Sequence, residues 1–290
     1  MSIANETVFA PEEKNQVCPK TLYLVATPIG NLSDISGRAL KILSEVSFVA
    51  AEDTRVSAKL LSSYGIKQTL FSYHEHNKRE AGKKIVERLL AGESCALITD
   101  AGTPAISDPG ADIVKACIEA DITVSSLPGA CAAVTALTLS GLETRRFVFE
   151  GFLEGTDAEK RERLGEISSE RRTVIFYEAP HRLLATLELM LSELGDRKIA
   201  LCRELTKLNE QIIRTSLSNA IEIYNSTTPK GEYVLVIEGC SSEKPFWADM
   251  TVVEHVEYYI FNMNMEKMSA VKAAAKDRGV SKNTVYKELI

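Results

Sequence analysis

Short runs of consecutive apolar residues alternate with segments of helical spacing along the first half of the chain. Apolar runs occupy 22–26, 48–51 and 95–99, and a fourth strand is predicted at 122–127. Such a run, bounded by turn residues, is typical of a strand buried on both faces. Helical patterns follow over 79–91 and from Ala130 to Gly141. Asp108 and Pro109 predict the N-cap and first turn of a further helix reaching about Ala120. This alternation predicts a mostly parallel sheet covered on both faces.

The pattern changes after Gly141, where the polar stretch 143–146 reads as a linker. Strands are predicted at 147–151, 173–177, 198–202, 210–215 and 232–238, and helices near 158–169 and 180–194. Only one short helical segment separates the last two strands, which favours a mixed sheet. We therefore expect a second α/β domain that begins near residue 144.

The last forty residues carry a helical pattern of another kind. Ala275, Gly279 and Val285 match the packing of a helix-turn-helix, with a small residue at the helix contact, glycine in the turn and an apolar anchor. From Asn264 to Ile290 there are six Lys or Arg against three Asp or Glu, which makes this segment basic. DNA reading, RNA contact and simple packing of a helical hairpin all fit this pattern.

Composition and charge narrow the class of protein. The 290 residues are 45% hydrophobic and 26% charged, as in soluble globular proteins, and the net charge of −6 excludes nucleic-acid binding by bulk charge. Residues 1–20 are polar and resemble neither a secretory signal nor a membrane span, so we expect a cytoplasmic protein without membrane contact. The predicted organisation is a flexible N-terminal tail, two α/β domains and a helical tail, at 1–20, 21–143, 144–241 and 250–290.

Four loops are expected at the carboxyl ends of the first strands, where open parallel sheets bind ligands. They are 27–31, 52–55, 100–108 and 128–132, and each contains Gly, Pro, Asp or Thr. Neither GxGxxG nor GxxxxGK[ST] occurs, so a ligand without phosphates suits these loops better. Ordinary strand-to-helix turns favour the same residue types and remain the alternative.

Other polar clusters give weaker signals. No HExxH or GxSxG motif occurs, and the cluster from His74 to Asn77 has no second group of metal ligands, so it favours a substrate-facing loop and we predict no metal. His181 fits either a helix-capping or a functional role, and the strip 203–207 is either an exposed loop or a substrate contact. His255 is expected on the surface of the tail.

Together these segments resemble the ribosomal RNA small subunit methyltransferase I family, a branch of the tetrapyrrole (corrin/porphyrin) methylase fold. The resemblance covers about residues 21–241 in order, and more weakly the tail. It rests on segments of distinctive sequence: Thr27–Leu32, Ala51–Arg55, Asp100–Pro104, Ser107–Gly110, Leu127–Gly129, Phe149–Leu153, Phe176–Glu178, His181–Arg182 and Lys230–Glu232. Glu154 and Ala130 stand where the family commonly has proline, which affects the linker and one loop.

The resemblance implies two α/β domains with S-adenosylmethionine in the cleft between them, and a homodimer. It also implies methyl transfer to the ribose 2′-hydroxyl of a cytidine in the decoding region of small-subunit (16S) ribosomal RNA, so the partner would be this RNA or the 30S subunit. S-adenosylmethionine lacks phosphates, and its cationic sulfonium suits the 100–110 loop, which has no Lys or Arg.

Carried onto this chain, the resemblance also implies site residues. The cofactor would meet Pro28, Asp100, Ala101, Gly102, Thr103, Ile106, Cys131, Ala132 and Tyr177. Asp53 and Glu178 are the candidate general bases, because each ends a strand at the expected cleft, and the matching amide at either position should abolish turnover. The candidate RNA contacts are Arg55, His74, His76, Asn77, Arg182 and Lys207.

Two other functions remain open. A small-molecule methylase of the same fold would act on a tetrapyrrole or a modified protein residue. A non-catalytic regulator would use the helix-turn-helix to bind nucleic acid, and it would lose all function without residues 250–290.

Overall fold

The computed structural model describes residues 16–241, 247 and 250–289. Most of the N-terminal tail expected at 1–20 therefore lies outside the described residues. The described residues up to Cys240 form one compact unit, and those after it form a second. No helix in the described part of the chain is long and apolar enough to cross a membrane.

The first sheet has five parallel strands in the order β3-β2-β4-β1-β5. Their bounds are Thr21–Val25 (β1), Phe48–Ala51 (β2), Leu70–Ser72 (β3), Ser94–Ile98 (β4) and Thr123–Leu127 (β5). The prediction of a parallel sheet is confirmed, and the four predicted strands are present. The short edge strand β3 was not predicted, because three residues are too few to show a pattern.

Helices cover both faces of this sheet, as predicted. They are Gly37–Glu45 (α1), Thr54–Ser63 (α2), Lys78–Leu90 (α3) and Ala111–Glu119 (α4). The α1 and α2 face buries Ile42, Leu43 and Leu61, and the opposite face buries Ile85 and Ile113.

The predicted cap at Asp108 and Pro109 is wrong. Helix α4 begins at Ala111 and its N-cap is Gly110, whose φ is 149°. A side chain rarely adopts that backbone conformation, so the glycine holds the helix start two residues later than the Asp-Pro pair suggested. Asp108 is thereby left in the loop that precedes the helix.

The second sheet is mixed, as predicted, with the order β6-β7-β10-β8-β9. Its strands are Phe147–Phe152 (β6), Thr173–Glu178 (β7), Lys198–Arg203 (β8), Gln211–Ser216 (β9) and Tyr233–Ile237 (β10). Strands β6 and β7 are parallel and the other neighbours are antiparallel.

One face of this sheet packs against Asp157–Glu166 (α6), Leu183–Leu194 (α7) and Leu217–Ser226 (α8). The other face packs against Ala132–Ser140 (α5), which follows the last strand of the first sheet. Helix α5 thus belongs to the core of the second sheet, although it precedes the boundary expected near residue 144. That boundary stays a prediction, because both sheets lie in one compact unit.

The described part of the C-terminal unit contains three helices, Val252–Phe261 (α9), Lys267–Asp277 (α10) and Lys282–Lys287 (α11). Ala275 and Val285 are buried in its core, and Gly279 turns between α10 and α11 with φ 63°. The spacing that predicted a helix-turn-helix therefore corresponds to two helices joined by a glycine turn.

The expectation that His255 lies on the surface is wrong, since this side chain is completely buried. Its ring stacks on Trp247 with centroids 5.3 Å apart, and its Nδ1 accepts a hydrogen bond from Arg278 Nε at 3.1 Å. Burial and the Arg278 charge lower the pKa of His255, which favours the neutral ring. Trp247, eight residues earlier in the chain, covers the His255 ring. The helical pattern of the tail did not predict this contact.

Candidate active site

A cavity of about 570 Å³ lies where the carboxyl ends of the first sheet face the second sheet. The first sheet contributes loop residues, and the second contributes the end of β7 and residues around β8 and β10. The lining residues include Ile29, Glu52, Asp100, Ala101, Gly102, Thr103, Ile106, Ser107, Asp108, Cys131, Ala132, Phe152, Tyr177, Glu178, His181, Glu204, Lys207, Glu232 and Tyr233. The topology thus brings together loops that are far apart in the sequence.

Eight of the nine residues expected to meet the cofactor line this cavity. They are Asp100, Ala101, Gly102, Thr103, Ile106, Cys131, Ala132 and Tyr177. Pro28 is the exception, and its neighbour Ile29 lines the wall instead. The cofactor roles of these residues stay predictions, since the geometry shows only that they share one cavity.

The loop after β4 is fixed by backbone contacts. Thr27 and Gly102 exchange two backbone hydrogen bonds, of 2.9 and 3.1 Å, and Thr103 Oγ1 donates to Ala130 O at 2.9 Å. Ala105 and Ser107 both have positive φ, of 69° and 59°, which non-glycine residues adopt at a cost. The fold therefore holds a strained loop in one conformation beside the cavity.

An aromatic wall closes the side formed by the second sheet. Tyr177 contacts Phe149 and Phe152 edge-on, with ring centroids 4.9 and 5.5 Å apart. The Tyr177 hydroxyl accepts a hydrogen bond from the backbone N–H of Ala133 at 3.2 Å. Burial raises the pKa of Tyr177 to about 12, so the phenol stays neutral near neutral pH.

Three carboxylates, those of Glu52, Asp100 and Asp108, line the part of the cavity that the loops of the first sheet form. Burial is the largest cause that raises the pKa values of Glu52, Asp100 and Asp108, and each also feels a neighbouring carboxylate. The pKa of Asp108 reaches about 6. A wall of this kind attracts a cationic ligand and disfavours an anionic one. Both Glu52 and Asp108 lie in the ligand loops predicted at 52–55 and 100–108, but neither was predicted as a site residue, and Asp108 was interpreted as a helix cap.

Asp53 has the role of a helix cap. It is the N-cap of α2, and its carboxylate accepts from the backbone N–H of Arg55 at 2.8 Å and from the Arg55 guanidinium at 3.1 and 2.7 Å. These bonds hold the pKa of Asp53 well below its usual value. Among the described residues, Asp53 is not part of the cavity lining, whereas its neighbour Glu52 is.

Glu178 lies in the cavity wall, but its carboxylate is engaged by the protein. Its side chain is 1% exposed and accepts hydrogen bonds from Ala179 N at 2.7 Å, Arg182 Nε at 2.9 Å and Thr186 Oγ1 at 2.6 Å. These contacts join the end of β7 to the start of α7. They also occupy Arg182, one of the expected RNA contacts.

Four further expected RNA contacts lie on two segments, Arg55 in α2 and the other three in the turn before α3. Arg55 is 87% exposed and paired with Asp53, and the rings of His74 and His76 lie 6.0 Å apart. The Asn77 side chain accepts from His74 N at 2.8 Å, within its own turn. These residues do not line the cavity. Their RNA contacts stay predictions.

Lys207 does line the cavity, but two carboxylates neutralise it. Its Nζ lies 2.9 Å from Glu204 Oε1 and 2.9 Å from Glu232 Oε2.

Across the chain segments that the structure describes, no group of three or more His, Cys, Asp or Glu is placed to hold a metal ion.

Comparison with known proteins places this architecture in a class. The model of the tetrapyrrole (corrin/porphyrin) methylases matches residues 21–221. A solved structure of uroporphyrin III C-methyltransferase from Thermus thermophilus, complexed with S-adenyl homocysteine, has a TM-score of 0.55 to this chain. It is 16% identical and covers 75% of this chain and 97% of its own, so it shows the likeness of the fold. The chain therefore has the fold of the tetrapyrrole (corrin/porphyrin) methylases.

Sequence relatives define the group more narrowly. Ribosomal RNA small subunit methyltransferase I of Halalkalibacterium halodurans is 47% identical over 270 residues, which is 92% of this chain and 93% of the relative. The protein of the same name from Bacillus subtilis is 48% identical over 270 residues, 91% of this chain and 92% of its own length. The chain therefore belongs to the ribosomal RNA small subunit methyltransferase I family, as its sequence motifs had suggested.

Proposed function

We propose that this protein uses S-adenosylmethionine to methylate small-subunit (16S) ribosomal RNA, at the ribose 2′-hydroxyl of a cytidine in the decoding region. The names of the relatives support RNA methylation. The finer choice of the 2′-oxygen and of the cytidine rests on the resemblance of the sequence motifs. The observation that carries the proposal is the cavity, which combines an aromatic wall with a carboxylate wall.

The residues present fit this cofactor. S-adenosylmethionine has a cationic sulfur and no phosphate, and the carboxylates of Glu52, Asp100 and Asp108 face the same cavity as the aromatic wall. The one lysine in the lining is neutralised by Glu204 and Glu232, so it does not oppose a cation. The bound cofactor supplies an electrophilic methyl group.

Residues of this chain would then hold and shield the reactants. Ala101, Gly102 and Thr103 line the cavity and would hold the cofactor, while Phe152 and Tyr177 exclude water from one side. Holding the 2′-oxygen in line with the methyl group can lower the barrier by about 7–11 kcal/mol. Orientation is therefore the largest contribution we assign to the protein.

The 2′-oxygen must lose its proton as the bond to carbon forms, and a carboxylate can accept it. Asp53 and Glu178 stay candidates for this role from the sequence. Their contacts favour holding roles, because Asp53 is engaged by Arg55 and Glu178 by three donors. Asp108 lines the cavity beside the neutral hydroxyl of Thr99, and we propose it as the proton acceptor.

We also propose that the protein is a cytoplasmic homodimer, as the family resemblance implies. Light scattering on the purified protein would measure the mass of the particle in solution. A monomer at every concentration tested would contradict the dimer.

The function is tested by methyl transfer from labelled S-adenosylmethionine to small ribosomal subunits, or their isolated RNA, from cells that lack this protein. We expect label on the ribose of one cytidine, located by nuclease mapping. Label on a base would contradict the 2′-oxygen. Transfer to a tetrapyrrole and not to RNA would favour the small-molecule methylase that the fold also permits.

A further inference from the structure

The cavity cannot provide the affinity for a long polyanion. Its lining contains the carboxylates of Glu52, Asp100 and Asp108, and its lysine is paired with two others. Phosphates are repelled by such a surface, yet RNA binding draws much of its free energy from phosphate contacts. If the substrate is ribosomal RNA, the cations that bind its backbone must lie outside the cavity.

A second depression, of about 930 Å³, lies at the opposite end of the second sheet. Two loops form it, one entering β6 and the other entering β7, and four arginines line it together with three glutamates. The charged lining residues are Glu143, Arg145, Arg146, Glu166, Glu170, Arg171 and Arg172. Phe152 and Glu178 end the same two parallel strands in the cavity, so six-residue strands separate the two sites by about 20 Å.

Of the four arginines, one is paired with a carboxylate and three are exposed. Arg172 forms a two-pronged pair with Glu170, through hydrogen bonds of 2.9 and 2.6 Å. Arg145, Arg146 and Arg171 are exposed, and none of them has an ion-pair partner within the parts of the chain that the structure describes. Exposed guanidinium groups in a concave surface suit phosphate, which they can bind through two parallel hydrogen bonds.

The two loops are held in place rather than left loose. Thr173 Oγ1 donates to Glu143 O at 2.6 Å, which ties the start of β7 to the loop before β6. Glu143 in turn accepts from Arg145 N at 2.9 Å. On the other loop, the carbonyl of Arg171 packs against Gly239 so closely that a Cβ at Gly239 could not be accommodated. A surface held in this way loses little conformational entropy when it binds.

We propose that Arg145, Arg146 and Arg171 form a phosphate-binding surface for ribosomal RNA that flanks the target nucleotide. We call these residues the arginine surface. The inference rests on the proposed function for the choice of RNA.

The test compares a triple variant, R145A/R146A/R171A, with the wild-type protein and a matched control. The control, K41A/K59A/K67A, removes three exposed positive charges from the first α/β half of the chain. A conservative variant, R145K/R146K/R171K, keeps the charge. For each protein, RNA affinity is measured over a range of salt, together with kcat, the KM for small subunits and the Kd for S-adenosylmethionine.

We expect the alanine variant to bind RNA at least tenfold more weakly and to raise the KM for subunits. The slope of log affinity against log salt should become shallower by about 2, or roughly 0.7 for each phosphate that the variant no longer neutralises. The lysine variant should keep most of the slope, and cofactor affinity and kcat at saturating RNA should not change. A slope and KM equal to those of the control would overturn the arginine surface.

Two further outcomes are distinguishable. If the alanine variant changes the mass of the particle and leaves RNA affinity intact, the depression is an interface between protein chains and the proposal is wrong. If the wild-type protein neither binds nor methylates ribosomal RNA, the proposed function itself fails, and this inference fails with it. If the wild-type protein methylates ribosomal RNA and the triple alanine variant binds RNA equally well, the arginine surface is wrong and the proposed function stands.

Discussion

The Tyr177 hydroxyl, at the end of a strand in the second sheet, lies 3.2 Å from the backbone nitrogen of Ala133, in the first turn of α5. That N–H belongs to the first helical turn, where no carbonyl of the helix can accept it. The two preceding residues, Cys131 and Ala132, line the cavity. One hydrogen bond therefore links the aromatic wall to the loop that follows the first sheet.

Replacing Tyr177 by Phe should leave this N–H without its partner. We expect the free energy of unfolding to fall by about 1–3 kcal/mol and the Kd for S-adenosylmethionine to rise, because the start of α5 loses its support. Denaturant unfolding and calorimetry would measure the two effects. Tyr64→Phe is the control, since its hydroxyl donates to Leu32 O in an exposed position. Equal, small effects of both changes would contradict the proposed support.

The carboxylate wall predicts how cofactor binding depends on pH. Because burial raises the pKa of Asp108 to about 6, the folded apoprotein holds this proton more tightly than the unfolded chain does. The contribution to stability is thus fully present below about pH 4 and is lost as the pH rises through about 6. A bound cation reverses this preference, so its affinity should rise between about pH 5 and pH 7.

The measurement is the Kd at several pH values for S-adenosylmethionine and for S-adenosylhomocysteine, which has no sulfonium charge. We expect the first ligand to gain affinity as the pH rises and the second to gain much less. Asp108→Asn should remove most of the difference between them. If the affinities of the two ligands change with pH in the same way in the wild-type protein, the carboxylates do not interact with the sulfonium charge.

Amide variants separate the candidate proton acceptors. Asp108→Asn should lower kcat by roughly 10²- to 10⁴-fold if Asp108 accepts the proton. Asp53→Asn should keep most of the activity, because asparagine is also a good helix cap. Single-turnover kinetics at saturating cofactor would measure both. A collapse with Asp53→Asn and a small effect with Asp108→Asn would restore the assignment that the sequence alone suggested.

Glu178→Gln should act on stability as well as on rate. The amide offers one acceptor where the carboxylate serves three donors, and it leaves the Arg182 charge without its partner. We expect a loss of about 2–3 kcal/mol in the free energy of unfolding. Thermal unfolding of the apoprotein would show it. Unchanged stability together with lost turnover would instead identify Glu178 as a catalytic residue.

The sequence predicted those parts of the fold whose signal is local. The strands β1, β2 and β4 contain continuous apolar runs, because helices cover both faces of the sheet. The edge strand β3 gave no such signal. Eight of the nine expected cofactor residues share one cavity, because the loops at the carboxyl ends of parallel strands meet at one edge.

What the sequence did not predict depends on contacts between distant segments. Asp108 followed by Pro109 reads as a helix start, and only the conformation of Gly110 shows that the helix begins later. Lys207 reads as a free cation until Glu232, twenty-five residues away, is placed beside it. His255 is buried by Trp247, which lies before its helix. Charge and burial at single positions are set by such neighbours.

The glycine at the start of α4 gives the sharpest test of the loop that holds Asp108. Gly110 has φ 149°, and a Cβ at this position would lie 3.0 Å from Ala105 N. Gly110→Ala should therefore cost about 1–3 kcal/mol of stability and weaken cofactor binding, because the loop from 100 to 110 must shift. Gly165→Ala is the matched control: it lies in α6 with open space around it, and should gain up to about 1 kcal/mol. Chemical denaturation and cofactor titration of both variants decide the matter. If Gly110→Ala unfolds like the wild-type protein and binds the cofactor as tightly, the loop does not need its strained conformation to form the site.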